Sequence, residues 1–118
     1  MKIMIVDDNA AMRGMIRSIL PEAFDEILEC EDGSDALDRY SSFLPDWVLM
    51  DWEMKVMNGL AATRRILVNF PDARIILVTQ HDDPELLEAA LEAGAKATVL
   101  KDDLPTLRTF LQAKLDAP

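Results

Sequence analysis

Apolar residues fall into two kinds of run along this chain. Short runs occupy residues 3–6, 26–30, 47–50, 75–78 and 97–100. Several are apolar at nearly every position, which suits strands buried on both faces better than strands with one wet side. Between them, residues 10–20, 34–43, 60–70, 84–93 and 105–114 place apolar residues three and four apart, the spacing of one helical face. Strand and helix therefore alternate five times, a (βα)₅ order.

Local chemistry punctuates the pattern. Asp83-Pro84 offers a cap followed by proline at the first helical position, where its missing N–H costs nothing. Gly94 supplies a residue that can take the left-handed conformation ending that helix. Within the helix Leu86, Leu87, Ala90 and Leu91 form one apolar stripe while Glu85, Glu88 and Glu92 face away. That stripe predicts core packing.

Strands joined through helices need right-handed crossovers, which give a parallel sheet covered on both faces. The predicted fold is α/β: a doubly wound three-layer sandwich whose parallel five-stranded sheet runs in the order 2-1-3-4-5, the flavodoxin-like arrangement. In that order strands 1 and 3 are neighbours, and a crevice opens beyond their carboxyl ends. Residues that directly follow those strands meet there.

At 118 residues the chain fits a single domain, 1–118, with one hydrophobic core. Half of its residues are apolar, which excludes a disordered chain, yet no apolar run approaches the roughly 20 residues needed to cross a bilayer. Met1 leads through Lys2 to Val6 straight into acids, unlike a secretory or transit leader, so a cytoplasmic location without membrane contact is expected. Cys30 stands alone, so no disulfide can form within the chain, and it reads as a small buried residue. A formal net charge of −10 repels a phosphate backbone, so direct nucleic-acid binding by this chain is not expected.

The first strand ends in Asp7-Asp8-Asn9, the third in Asp51, the fourth in Thr79 and the fifth in Lys101. Polar residues begin loops everywhere, so any one of these is ordinary. Together, at the carboxyl ends of a doubly wound sheet, they form a constellation. Asp7, Asp8 and Asp51 would bring carboxylates within a few ångström, where each like-charge pair costs up to ~4 kcal/mol at an effective dielectric of about 20. A hard divalent cation offsets that charge, and Mg²⁺, or Mn²⁺ in its place, suits a site of a few carboxylates, waters and a substrate phosphate.

Lys101 adds a fixed ammonium. A carboxylate beside such a cation can attack a phosphoryl donor in line, forming an acyl phosphate while metal and lysine neutralise the spreading charge. Asp51 is the candidate nucleophile because it stands between the metal acids and Lys101. Thr79 offers a hydroxyl to a phosphoryl oxygen.

Over about residues 2–115 the sequence resembles the receiver domain of two-component response regulators. The resemblance is carried by Val6-Asp7-Asp8-Asn9, by Glu31-Asp32-Gly33-Ser34-Asp35-Ala36-Leu37, by Asp51 followed by Met54 and Met57-Asn58-Gly59, by Val78-Thr79 and by Leu100-Lys101-Asp102. Glu92-Ala93-Gly94-Ala95 and Lys101-Asp102-Asp103-Leu104-Pro105 make it most similar to receivers that precede helix-turn-helix output domains, and no output domain is expected within this chain.

The resemblance implies phosphoryl transfer from a histidine kinase or histidine phosphotransfer protein to Asp51. It further implies a metal held by Asp7, Asp8, Asp51 and the backbone carbonyl of Glu53, with Thr79 and Lys101 reading the phosphate. Such a domain is a signalling phosphoacceptor rather than a turnover enzyme, and it assists its own phosphorylation and dephosphorylation. Its implied downstream partners are another protein, a missing output domain or a second copy in a homodimer, met on the surface of the fourth helix, fifth strand and fifth helix.

Several positions depart from the family's pattern. Thr98 stands where receivers usually carry Phe or Tyr, and a threonine cannot fill an aromatic-sized space, so the aromatic arm of the switch is missing. Gln80 follows Thr79 where a small residue is usual and narrows the entrance. Glu53 and His81 occupy the two positions that tune hydrolysis, with a solvated loop histidine as the plain reading of His81. Lys55 replaces a common proline and loosens its loop. Asp102 replaces a proline that many receivers carry in cis; without proline a cis bond costs ~3–4 kcal/mol, so a trans bond is expected.

Three functions compete. A phosphoaccepting switch rests on the strand-end residues. A phosphorylation-independent, receiver-fold protein-binding module rests on Thr98, Gln80 and Lys55. A flavodoxin-like electron carrier shares the strand order, but a flavin phosphate needs a cradle of backbone N–H groups, and Asp7-Asp8 repels it.

Overall fold

Strands apolar along their whole length need a core on each side, and the fold supplies two. In the computed structural model, which describes residues 1–117, strands and helices alternate. They are β1 (Lys2–Val6), α1 (Ala10–Ile19), β2 (Glu26–Cys30), α2 (Ala36–Phe43), β3 (Trp47–Asp51), α3 (Gly59–Asn69), β4 (Ile75–Thr79), α4 (Pro84–Glu92), β5 (Ala97–Leu100) and α5 (Leu104–Asp116). The sheet is parallel throughout, in the predicted order β2-β1-β3-β4-β5.

Alternation along each strand divides the apolar residues between two layers. Met4, Val6, Val48, Met50, Ile75 and Leu77 pack with Tyr40 of α2, Ala62 and Ile66 of α3 and Ala90 of α4. Ile3, Ile5, Leu49, Ile76 and Val78 pack with Ile16 of α1 and with Leu107 and Leu111 of α5. Ile66, Leu107 and Leu111 are wholly buried, and each such side chain contributes about 1.5–3 kcal/mol of transfer free energy.

Helix starts next to the sheet's carboxyl end are fixed by asparagines. Asn9 caps α1 by accepting from the Met12 N–H, and Asn58 caps α3 by accepting from the Ala61 N–H. Gly94 takes φ of +100°, and a Cβ there would lie 2.7 Å from Leu67 Cδ1, so glycine is required twice over. Pro84 opens α4 as its sequence suggested, while Asp83 makes no side-chain cap bond. No cis peptide bond is present among the described residues, so Asp102 follows Lys101 through a trans bond. Among the described residues no helix is long and apolar enough to cross a membrane.

Two strands run one residue past their apolar runs. Asp51 pairs with Val78, and Thr79 pairs with Leu100, because ladder bonds use backbone groups and do not depend on side-chain polarity. At α2 the helix starts later than its periodicity predicts, after a 3₁₀ turn at Gly33–Asp35. The stripe on α4 needs a larger correction. Ala90 is buried, but Leu87 is 36% and Leu91 62% exposed. Helix α4 lies beside β5, the last strand of the sheet, where one side of the helix has no neighbouring layer to cover it.

Candidate functional site

The sheet brings four charged side chains together at its carboxyl end. Asp7 directly follows β1 and Asp51 ends the adjacent β3; both are almost wholly buried, whereas Asp8 is exposed. One carboxylate oxygen from each of Asp7, Asp8 and Asp51 lies within 4.8 Å of the others. Two unit charges at that spacing repel by about 3–4 kcal/mol at an effective dielectric of about 20. Lys101 answers part of this: its Nζ lies 2.8 Å from Asp51 Oδ1 and 3.2 Å from Asp7 Oδ2. The backbone aims it, since the Lys101 N–H donates to the Thr79 carbonyl at 2.8 Å.

Burial pushes the Asp51 carboxyl up to about 6; Lys101 opposes that rise through its bond and charge, and the Asp7 charge adds to it. For Lys101 burial pulls downward, but the bonds and charges of Asp51 and Asp7 outweigh it and the ammonium is stabilised. The charge nevertheless remains unbalanced, with three carboxylates facing one ammonium. Asp7 Oδ2 is buried and accepts no well-directed hydrogen bond, despite the nearby ammonium. An all-oxygen donor set with such an orphaned acceptor suits a hard divalent cation.

Several residues hold this arrangement in place. The Asn9 N–H donates to Asp7 Oδ1 at 2.8 Å, and Arg13 Nη1 donates to the Asp7 carbonyl at 2.6 Å. Arg13 is itself gripped by Glu29, which also pairs with Arg17. At Gly59 a Cβ would fall 2.0 Å from the Asp51 carbonyl oxygen, so only glycine lets the start of α3 pack against the end of β3.

A recess of about 350 Å³ opens over these groups, lined by Asp8, Asn9, Asp51, Glu53, Met54, Lys55, Gln80 and Lys101. Gln80 and Lys55 both line this recess. Thr79 does not line this recess. Its Oγ1 accepts from the His81 N–H at 3.1 Å, and the residue instead lines a second pocket with Thr98. His81 is not a free loop histidine either, because its Nε2 bonds the Glu53 carboxylate and ties the loop after β4 to the loop after β3. A wider recess of about 520 Å³, with Glu29, Glu31, Asp35 and Arg39 in its walls, lies away from these carboxylates.

Asp32, within the run from Glu31 to Leu37, organises the loop that carries Glu53. Its carboxylate accepts from the N–H groups of Ser34, Val56 and Met57 at 2.8, 3.1 and 3.1 Å. Partial burial raises its pKa but these backbone bonds prevail, leaving the carboxyl below its ordinary range. Gly33 allows the close approach, since a Cβ there would sit 2.5 Å from the Met57 carbonyl oxygen. Neither the turn at Asp32-Gly33-Ser34 nor the contact to residues 56 and 57 is announced by the periodicity of the chain. This bracing stands where Lys55 forgoes the stiffness of proline.

Comparison with known proteins agrees with this geometry. The family described as response regulator receiver domain matches residues 3–112. The chain belongs to that family. It is 34% identical over 104 residues to the transcriptional regulatory protein DegU of Brevibacillus brevis, covering 86% of this chain and 44% of that protein. It is 38% identical over 101 residues to the chemotaxis protein CheY of Bacillus subtilis, covering 85% and 84% respectively. The chain thus spans less than half the length of the first and most of the second.

Among solved structures, a LuxR-family two-component response regulator from Aurantimonas superposes with a TM-score of 0.89 at 33% identity, over 97% of this chain and 84% of that one. As a receiver domain with an acidic cluster at the end of its sheet, the chain is a component of two-component signalling. That membership removes the ground for a flavin carrier.

Proposed function

We propose that Asp51 accepts a phosphoryl group from a histidine kinase or histidine phosphotransfer protein, in a reaction that needs Mg²⁺ or Mn²⁺. The observation that carries this reading is the buried Asp51 carboxylate, 2.8 Å from the Lys101 ammonium and beside Asp7 and Asp8. Asp7, Asp8, Asp51 and the Glu53 carbonyl would hold the metal. When bound, the metal supplies positive charge to the phosphoryl oxygens that the Lys101 ammonium alone cannot match.

With a carboxyl titrating at about 6, Asp51 is mostly ionised at neutral pH and able to attack. One of its oxygens bonds to phosphorus as the bond from phosphorus to the donor's imidazole nitrogen breaks, and the imidazole leaves with that electron pair. Lys101 then stabilises the phosphoryl oxygens by a charge-assisted hydrogen bond. The Thr79 hydroxyl accepts from the His81 N–H and so keeps its own O–H to donate to a phosphoryl oxygen when it turns toward the acyl phosphate. Glu53 and His81, linked across the rim, and Gln80 beside them govern how water approaches for hydrolysis.

Incubation with Mg²⁺ and acetyl phosphate, or with a cognate kinase, tests this reading by intact mass. One added phosphoryl group is expected in the wild type and none in Asp51→Asn. Absence of uptake from both donors, or equal uptake by the variant, rejects it.

The position of Thr79 outside the recess and the short Thr98 favour a second reading, in which the receiver fold binds protein partners without phosphate. Partner binding would then survive both EDTA and Asp51→Asn. Loss of binding under either condition rejects that alternative.

A further inference from the structure

Asp7 and Asp8 both follow β1, but they are held differently. The Asp7 N–H donates to the Cys30 carbonyl at 3.0 Å, its Oδ1 accepts from the Asn9 N–H at 2.8 Å, and its carbonyl accepts from Arg13 Nη1 at 2.6 Å. Asp8 is exposed and takes its direction from the peptide unit that joins it to Asp7. That unit is planar, so fixing the Asp7 carbonyl oxygen also fixes the plane in which the Asp8 nitrogen and Cα lie.

Arg13 is held in turn. Its Nε lies 2.9 Å from Glu29 Oε1, and the other oxygen of Glu29 lies 3.0 Å from Arg17 Nη1. The Arg13 side chain is only 12% exposed, against 50% for Arg17. A guanidinium presents its donors in a rigid fork, so the grip of Glu29 on Nε orients Nη1 toward the Asp7 carbonyl. Charge does not explain this arrangement, because a guanidinium beside a divalent-cation site repels the cation. Position does.

Resting on the proposal that Asp7 and Asp8 hold Mg²⁺, we infer that Arg13, oriented by Glu29, is a positioning residue for the metal: it fixes the Asp7–Asp8 peptide and so aims the Asp8 carboxylate. Arg13 acts through the Asp7 carbonyl and not as a ligand. The partners that orient metal ligands typically govern affinity by about 10–100-fold, and here the partner carries the same sign of charge as the metal.

Mg²⁺ titrations of the full chain without phosphodonor, followed by tryptophan fluorescence, separate position from charge by sign. Arg13→Met keeps an unbranched side chain with good helical preference but removes both donor and charge. Repulsion alone predicts tighter binding in this variant, whereas positioning predicts binding weakened by about tenfold or more. Arg13→Lys keeps the charge, but a single ammonium cannot reproduce the fork that meets Glu29 and Asp7 together. It is expected to weaken binding, where charge alone predicts no change. Glu29→Gln keeps an acceptor for Arg13 Nε and is expected to lose less affinity than Glu29→Ala, where charge alone predicts equal losses. Arg17→Ala, at the exposed end of the cluster, is expected to change affinity by less than about twofold.

Unchanged or tighter binding in Arg13→Met, or wild-type affinity in Arg13→Lys or Glu29→Ala, overturns the inference. A metal-free readout accompanies the titrations: in EDTA the Asn9 amide, bonded to Asp7 Oδ1, is expected to exchange its hydrogen faster in Arg13→Met than in the wild type, and equal rates overturn the inference as well. Circular dichroism checks that each variant is folded at the titration temperature; where Arg13→Met is not, Arg13→Lys and Glu29→Ala decide. Absence of Mg²⁺ binding by the wild type rejects the metal site itself and the inference with it. Phosphoryl uptake is followed separately by mass, so a failure of Asp51 to accept phosphate is told apart from a failure of Arg13 to position the metal.

Discussion

The carboxyl end of the sheet and its β5 edge are made by the same alternation of strand and helix, but they differ in how completely their polar and apolar groups are matched. At the carboxyl end, Asp7 and Asp51 are buried in contact with Lys101, and Arg13, Asn9, Asp32 and Gly59 brace the loops around them. At the edge, Leu87, Leu91 and Thr98 leave apolar surface and a pocket open to water. Buried charge makes the first region costly and constrained; missing cover makes the second tolerant. Substitution is therefore expected to be severe at the carboxyl end and mild at the edge.

The sharpest test of that contrast is Lys101→Ala. Removing a preorganised cation from a phosphoryl-transfer site is expected to slow uptake from acetyl phosphate by about 10²–10³-fold. Rates from intact mass over time measure this. A loss of only a few-fold would mean that the region is less constrained than its buried charges suggest.

Next in size is the strain that Asp51 places on the metal-free fold. Its carboxyl titrates at about 6 in the folded chain against an ordinary 3.8. Between about pH 4 and 6 the folded chain therefore binds more protons than the unfolded one, so this group's contribution to stability falls as pH rises through that window. Above pH 6 the penalty is complete, about 2–3 kcal/mol. Asp51→Asn is expected to raise stability by that order at pH 7.5 in EDTA and to change it little near pH 4. Urea melts at the two pH values check both the size and the sign.

Asp32→Ala follows. It removes an acceptor shared by three backbone N–H groups and is expected to cost about 1–2 kcal/mol of stability. It should also speed hydrogen exchange at Val56 and Met57 and weaken Mg²⁺ binding read by Trp52 fluorescence. Asp32→Ala combined with Lys55→Pro should recover part of the metal affinity, because proline restores stiffness to the same loop. Equal metal affinity in Asp32→Ala and wild type would show that the loop needs no bracing.

The smallest effect belongs to the edge. Leu91→Gln is expected to change stability by less than about 0.5 kcal/mol. By contrast, Leu107→Ala in the buried core should cost about 2–5 kcal/mol. A large loss at Leu91 would place it in the core after all.

Most of the fold was legible because strands buried on both faces leave unbroken apolar runs, and because helical faces repeat at a fixed period. Asp51, Asp7, Asp8 and Lys101 were legible for a related reason: strand order alone decides which strand ends are neighbours. Periodicity says which side of α4 is apolar but not whether a layer covers it, so Leu87 and Leu91 were assigned to a core that does not reach them. His81 and Glu53 are 28 residues apart, and Asp32 lies 24 and 25 residues from the N–H groups it holds. No local pattern announces such pairs.

The sequence by itself determined the alternation of elements, the parallel sheet and the residues gathered at its carboxyl end. These follow from side-chain period and chain connectivity, which act locally or through topology. Only the tertiary structure decided that the Thr79 hydroxyl is engaged with His81, that Asp32 braces the Glu53 loop and that α4 keeps an apolar face exposed. Those outcomes depend on the spacing of packed layers and on which polar groups meet across them, and both are settled only when the whole chain closes on its core.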